Sequence, residues 1–188
     1  MRRFILLVLI LILLCGLSGC CYKRSDESLK RYLKSGREID TMALSVLPEL
    51  DTLPDYEDMY YRYYINRCFF VTESMLLVVI YDEDTYSAEK ERLDDAYVFL
   101  DHTIVADWSD EVEYLLPENE FSINSFSFRV VGDDETDYPK SFGMIGTSDE
   151  QLSIAYLYFY DFDLDYISDE GENEPMKNFV QQYFKYKW

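Results

Sequence analysis

The sequence predicts an α+β fold: an antiparallel sheet of about five strands, in the order ββα-βββα, with its helices on one face. Three patterns predict this fold class. Residues 75–81 are apolar at every position, as in a central strand that is buried on both faces. Residues 152–162 alternate, which places their Leu, Ile and Tyr side chains on one face of a strand. Residues 86–101 carry an apolar stripe at helical spacing instead.

The first half of the chain supplies the ββα part of this order. Residues 59–70 are crowded with Tyr, Phe and Ile, which favour extended structure. The polar residues 72–74 then predict a hairpin turn before the buried strand. Asp84 or Ser87 is placed to cap the helix that follows.

The second half supplies the βββα part. Residues 121–131 alternate, residues 141–147 form a short glycine-containing run, and residues 152–162 form the third strand. A last helix begins near Asn173 and Pro175, because proline is well tolerated in a first helical turn.

The first twenty residues have the pattern of an export signal. Arg2 and Arg3 precede an unbroken apolar run over residues 4–14. This run is shorter than the roughly 20 residues that a membrane-spanning helix needs. The next residues, Leu17-Ser18-Gly19-Cys20, resemble the lipobox of bacterial lipoproteins. An ordinary secretory signal followed by a chance cysteine is the alternative.

The resemblance covers residues 1–20 and implies a lipid anchor. In that family the signal peptide, here residues 1–19, is removed, and the cysteine, here Cys20, is diacylated (palmitate being a typical chain) and becomes the first mature residue. Two acyl chains give stable anchoring, so the expected location is the extracytoplasmic face of the cell membrane. In size, tether and composition the chain is also similar to uncharacterised small lipoproteins of low-GC Gram-positive bacteria, a likeness that implies no functional residue.

Charge divides the mature chain in two. The net charge of the 188 residues is −20, yet residues 23–37 are basic, with Lys23, Arg24, Lys30, Arg31, Lys34 and Arg37 against two acids. We therefore expect residues 20–37 to form a lipidated basic tether, attracted to anionic head groups. Residues 38–188 form a single acidic domain, which we expect to stand off the membrane. An acidic domain is a poor partner for nucleic acid.

A row of acids near the C-terminus has the oxygen-ligand spacing of a calcium loop. The candidate ligands are Asp161, Asp163, Asp165, Asp169 and Glu172. Tyr166 stands where the sharp turn of an EF-hand needs glycine, and a predicted strand precedes the loop. At most, the sequence predicts a weak Ca²⁺ site here, and no other cofactor. The alternative is a solvated acidic loop.

The other chemistry-bearing residues carry little specific signal. The 18 tyrosines form either an exposed aromatic face for sugars or peptides or cross-strand core pairs. His102, the lone histidine, is more typical of a structural role. No nucleophile motif accompanies it. Cys21 and Cys68 remain after lipidation, and their spacing leaves open whether they pair.

These observations predict a non-enzymatic binding or interaction module whose partner is an exported protein or an envelope component. The alternative is a carboxylate-dependent hydrolase of envelope polymers, which requires a pocket with two close carboxylates, one with a raised pKa. A passive cation buffer built on residues 161–172 is a third reading. No catalytic residue is assigned, and the ligand-binding residues are unknown.

Overall fold

The computed structural model describes residues 22–28, 45–68, 70–105, 113–132, 141–162, 164 and 166–188. The strands within these residues are β1 (Tyr22–Asp26), β2 (Asp58–Arg67), β3 (Val71–Ile80), β4 (Ile104–Val105), β5 (Glu113–Leu116), β6 (Glu120–Ile123), β7 (Phe126–Val131), β8 (Ser141–Ser148), β9 (Ser153–Asp161) and β10 (Ser168–Asp169). The helices are α1 (Glu83–Ala96) and α2 (Pro175–Phe184).

The strands form a large and a small antiparallel sheet. The large sheet has seven strands in the order β1-β2-β3-β9-β8-β7-β6, and the small sheet has three in the order β10-β5-β4. The buried run at 75–81 forms most of β3, which lies between β2 and β9. The prediction of an α+β fold with an antiparallel sheet is confirmed, whereas the predicted strand number and order are wrong.

The extra strands have local causes. Residues 121–131 were expected to form one strand, but the chain turns at Asn124, whose φ is 51°, and makes the β6–β7 hairpin. Phe121 then pairs with Phe128, and Ile123 with Phe126, so that all four side chains share one face. β1 lies within residues 20–37, which were predicted to form the tether. The strands of the small sheet are too short to give a periodic pattern in the sequence.

The predicted turn at 72–74 is also wrong, because these polar residues lie inside β3. Each has a partner there. The Thr72 hydroxyl donates to the Asp161 carboxylate at 2.6 Å, Arg67 donates to Glu73 at 3.2 Å, and the Ser74 hydroxyl donates to the Tyr183 carbonyl at 3.0 Å. Buried polar groups are tolerated when they are hydrogen-bonded, so residues 72–74 can belong to a strand. The chain turns instead between Arg67 and Val71.

The helices lie on opposite faces of the large sheet, not on one face as predicted. Met176, Phe179 and Val180 of α2 pack with Leu76 and Val78, whereas α1 packs Tyr86 and Leu93 with the intervening β3 residues. Both faces of β3 are therefore covered, as its unbroken apolar sequence requires. α1 begins earlier than predicted, because Asp82 accepts from the Thr85 amide at 2.9 Å and caps the helix.

The segment before β2 completes the α1 face. Val46 is fully buried against β8, where Gly143 lies directly beneath its methyl groups. The Tyr97 hydroxyl, just after α1, donates to the Val46 carbonyl at 3.2 Å. These contacts hold residues 45–54 against the sheet and beside α1.

We expect Gly143→Ala to lower the free energy of unfolding by about 1–3 kcal/mol, the usual cost of overpacking a core. The added methyl group would overlap the Val46 side chain. Urea unfolding of Gly143→Ala, Val46→Ala and the double variant tests this. The cost of Gly143→Ala should shrink in the Val46→Ala background, and an equal cost in both backgrounds would contradict the packing described.

Candidate functional site

Several of the predicted site residues lie outside the described residues. These are Cys20, with the whole of residues 1–21, and Asp163 and Asp165 of the acidic row. No helix among the described residues is long and apolar enough to cross a membrane.

The rest of the acidic row is distributed over different elements. Asp161 ends β9 and accepts from Thr72, while Asp169 belongs to β10, opposite Glu113 of β5. Strands therefore flank the loop on the residues described, where an EF-hand has helices. Within the described part of the chain, no group of three or more His, Cys, Asp or Glu side chains is arranged to hold a metal.

Most of the clustered tyrosines belong to the core. Tyr61, Tyr63, Tyr156 and Tyr158 are at most 3% exposed and pack with Met75, Leu77 and Val79 beneath α1. Burial raises the pKa values of Tyr81 and Tyr156 above the ordinary range, so these phenols stay protonated. The exposed aromatic face is therefore wrong for these four tyrosines, which belong to the core. Their directly opposite partners on β3 are Met75 and Leu77, so the predicted aromatic cross-strand pairs are not formed there.

His102 lies after α1 at the surface, with its Nδ1 atom 2.8 Å from the Asp101 carboxylate. The carboxyl groups with shifted pKa values are Asp82 and Asp149. Hydrogen bonds from Thr85 lower the pKa of Asp82, and hydrogen bonds from Lys90 and Tyr86 lower that of Asp149. Both shifts favour the charged form, whereas a general acid needs its pKa raised.

A concave site lies between residues 45–54 and α1. This cavity has a volume of about 420 Å³, and the residues that line it are Ser45, Leu47, Pro48, Glu49, Thr52, Pro54, Glu89, Arg92 and Tyr97. Sequence reasoning did not identify it, because residues 45–54 show no period and reach α1 only in the folded chain.

A charged pair forms the polar part of this cavity. Arg92 donates to the Glu89 carboxylate through Nε and Nη2, at distances of 2.9–3.1 Å. Only 11% of the Glu89 side chain is exposed, against 46% for Arg92. The Glu89 carboxylate raises the pKa of Arg92, so the guanidinium stays charged. A guanidinium that is paired and still partly exposed is suited to binding a carboxylate.

A second cavity of similar volume lies over the ends of β7 and β8. It is lined by Lys90, Asp94, Arg129 and Asp149, with Ser125, Ser127, Thr147 and Glu150. Its cations are ion-paired, as Arg92 is: Lys90 with Asp149, and Arg129 with Asp94 at 2.6 Å. The Arg129 guanidinium also lies 3.7 Å from the Phe99 ring centre. We take the Glu89–Arg92 cavity as the candidate site because the Arg92 side chain is more exposed than that of Arg129 and has no such ring contact among the described residues.

Cys68 follows β2 directly and is disulfide-bonded. The other cysteines, Cys15, Cys20 and Cys21, lie outside the described residues. Tyr22 pairs with Arg67 in the antiparallel register. Cys21 directly precedes Tyr22 and Cys68 directly follows Arg67 in the sequence, so we expect Cys21 to be the partner of Cys68. Opposed residues in such pairs have Cα atoms about 4.5–5.5 Å apart, a separation that a disulfide can bridge.

We expect peptide mapping of the unreduced protein to find Cys21 joined to Cys68. Cys21→Ser and Cys68→Ser should each lower the free energy of unfolding by about 2–4 kcal/mol. The double variant should cost no more than either single variant, because both remove the same bond. A Cys68 peptide joined to another cysteine would contradict this pairing.

No family model, no curated protein and no solved structure matches this chain. The features of this chain that bear on its function are therefore the lipobox-like signal, the Cys68 disulfide and the Glu89–Arg92 cavity.

Proposed function

We propose that this protein is an exported lipoprotein, anchored through a diacylated Cys20 to the extracytoplasmic face of the cell membrane. The observation that carries this proposal is the Leu17-Ser18-Gly19-Cys20 sequence directly behind a signal-like apolar run. The disulfide at Cys68 supports it, because stable disulfides form mainly in oxidising, extracytoplasmic compartments.

At the membrane the protein acts as a non-enzymatic binding module. The Glu89–Arg92 cavity supports this function, because it combines apolar walls from Leu47 and Pro48 with a partly exposed guanidinium. Because Ser45, Glu49, Thr52 and Glu89 make most of the remaining lining polar, the cavity suits a polar ligand that also has some apolar atoms. The occupant we propose is a carboxylate-bearing peptide segment or wall fragment, presented by an exported protein or an envelope component.

The alternative function is hydrolysis of envelope polymers by a carboxylate pair. Glu49 and Glu89 both line the cavity, which keeps this candidate open. Glu89, however, is engaged on both oxygens by Arg92. A carboxylate whose two oxygens both accept from an arginine is committed to that pair, whereas glycoside hydrolysis needs a carboxyl group placed to donate to the leaving oxygen.

The anchor is tested by Cys20→Ser in the full-length chain. We expect the variant to lose metabolic labelling by palmitate and to lack the diacylglyceryl mass on its N-terminal peptide, because the thiol is the acceptor. Cys15→Ser, the same change five residues earlier and just after the apolar run, should be labelled like the unchanged protein. Labelling of Cys20→Ser at the level of this control would overturn the anchor.

The binding function is tested by thermal unfolding of the lipidated protein in detergent with peptides, wall fragments, glycans, Ca²⁺ and Mg²⁺. A ligand at about 100 times its Kd adds roughly 2.7 kcal/mol to the stability of the folded state. We expect a carboxylate-bearing peptide or wall fragment to raise the Tm of the unchanged protein and not that of Arg92→Gln.

Arg129→Gln is the matched control, since Arg129 is a partly exposed arginine in the second cavity. It should respond to the ligand as the unchanged protein does. An equal shift in Arg92→Gln would place the site elsewhere. A Ca²⁺-specific shift that Asp169→Asn removes would favour the cation-binding reading. Turnover of a glycan that Glu89→Gln abolishes would favour the hydrolase.

A further inference from the structure

Three half-exposed aromatic side chains lie at one end of the large sheet. Tyr22 is 45% exposed, Phe70 is 46% exposed and Phe162 is 51% exposed. Tyr22 opens β1 opposite Arg67, Phe70 lies between β2 and β3, and Phe162 directly follows β9. The strand pairing therefore brings residues that are far apart in sequence to the same end, which we name the aromatic end.

The two phenylalanines at this end are held in place rather than scattered. Their ring centres are 6.2 Å apart and the rings are nearly parallel, at 12°. The Phe162 amide donates to the Val71 carbonyl at 3.0 Å, which fixes the chain as it leaves β9. Single exposed apolar residues are ordinary, but an ordered apolar patch on a surface marks an interaction site.

The aromatic end is also the end from which the proposed anchor leaves the domain. Tyr22 follows Cys20 by two residues, so their Cα atoms are at most about 7.6 Å apart. Tyr22–Asp26 is paired with β2 along its whole length. Acyl chains on Cys20 would therefore emerge beside Tyr22, Phe70 and Phe162, with almost no free chain between the lipid and the sheet.

Charge at the aromatic end is mixed. Arg67 is paired with Glu73, Arg24 is paired with Asp26, and Lys23 also lies on β1. Asp161 lies at the end of β9 beside Phe162. Neither sign dominates, so apolar contact rather than attraction to anionic lipid has to hold this surface to a bilayer. Aromatic rings favour the head-group region, where apolar and polar groups meet.

We propose that the aromatic end docks into the head-group region of the membrane that carries the anchor. The acyl chains of Cys20 then place the domain directly on the bilayer, and Phe70 and Phe162 add to its attachment. This replaces the expectation of an acidic domain that stands off the membrane on a flexible tether. The proposal rests on the proposed function, because without acylated Cys20 nothing brings this end to a lipid surface.

The test uses the full mature lipoprotein reconstituted into phosphatidylcholine vesicles whose acyl chains are brominated, since bromine quenches nearby tryptophan. A tryptophan is introduced as Phe70→Trp. The matched control is Tyr56→Trp, because Tyr56 is 47% exposed and lies just before β2, at the opposite end of the sheet. The natural tryptophans, Trp108 and Trp188, are the same in every sample.

We expect the emission added by Phe70→Trp to be blue-shifted and quenched in brominated vesicles, and that added by Tyr56→Trp to be neither. Phe162→Ser in the Phe70→Trp background should weaken the quenching, because it removes half of the stacked pair. Replacing part of the phosphatidylcholine with anionic lipid should leave the quenching unchanged.

Flotation of the vesicles and the mass of the Cys20 peptide are recorded on the same samples. A failure of the docking proposal can then be distinguished from a failure of the lipid-anchor proposal. Acylated protein that floats with the vesicles but shows no quenching of Phe70→Trp overturns the docking and leaves the lipoprotein function standing. Protein that lacks the diacylglyceryl mass and does not float overturns both. Quenching that is equal for Phe70→Trp and Tyr56→Trp also overturns a specific aromatic end.

Discussion

The burial of both faces of β3 and β9 is the constraint on which the rest of this structure depends. Two adjacent strands with apolar side chains on each face need a cover on both sides. α2 supplies one cover and α1, with residues 45–54, supplies the other. The split of the helices between the two faces follows directly from this requirement.

The two faces are covered by different chemistry. The α2 face is built mainly from phenylalanine and aliphatic residues and is closed by Trp188, whose ring meets Phe126 and Phe128 edge-on. The α1 face is rich in tyrosine, which brings hydroxyl groups beneath the helix. Tyr97 uses its hydroxyl to hold the Val46 carbonyl, and so fixes the segment that forms one wall of the candidate cavity. The candidate cavity is thus a consequence of how this face is covered.

The position of β1 decides which part of the sheet lies next to the proposed anchor. β1 is the edge strand of the large sheet and is paired with β2 along its whole length. Because β1 begins two residues after Cys20, an acylated Cys20 would hold this end of the sheet close to the lipid. The exposed side chains of Phe70 and Phe162 lie at the same end, and the docking that we propose follows from that short connection.

The sequence by itself determined the features that depend on local pattern. The apolar run at 75–81 predicted a strand buried on both faces, the alternation at 152–162 predicted β9, and the stripe at 86–101 predicted most of α1. The signal-like start and the lipobox-like Leu17–Cys20 segment can likewise be identified without any structure, because covalent processing depends on local sequence.

Only the tertiary structure decided the features that depend on distant partners. The sequence of residues 72–74 is typical of a turn. In the folded chain these residues belong to β3, because their side chains form hydrogen bonds with Asp161, Arg67 and the Tyr183 carbonyl. The cavity needs residues 45–54 to lie beside Glu89 and Arg92, and the aromatic end needs β1, β3 and β9 in register. Contacts between residues far apart in the chain produce no hydrophobic periodicity in the sequence. Such residues meet only through hydrogen bonds and packing across the folded sheet.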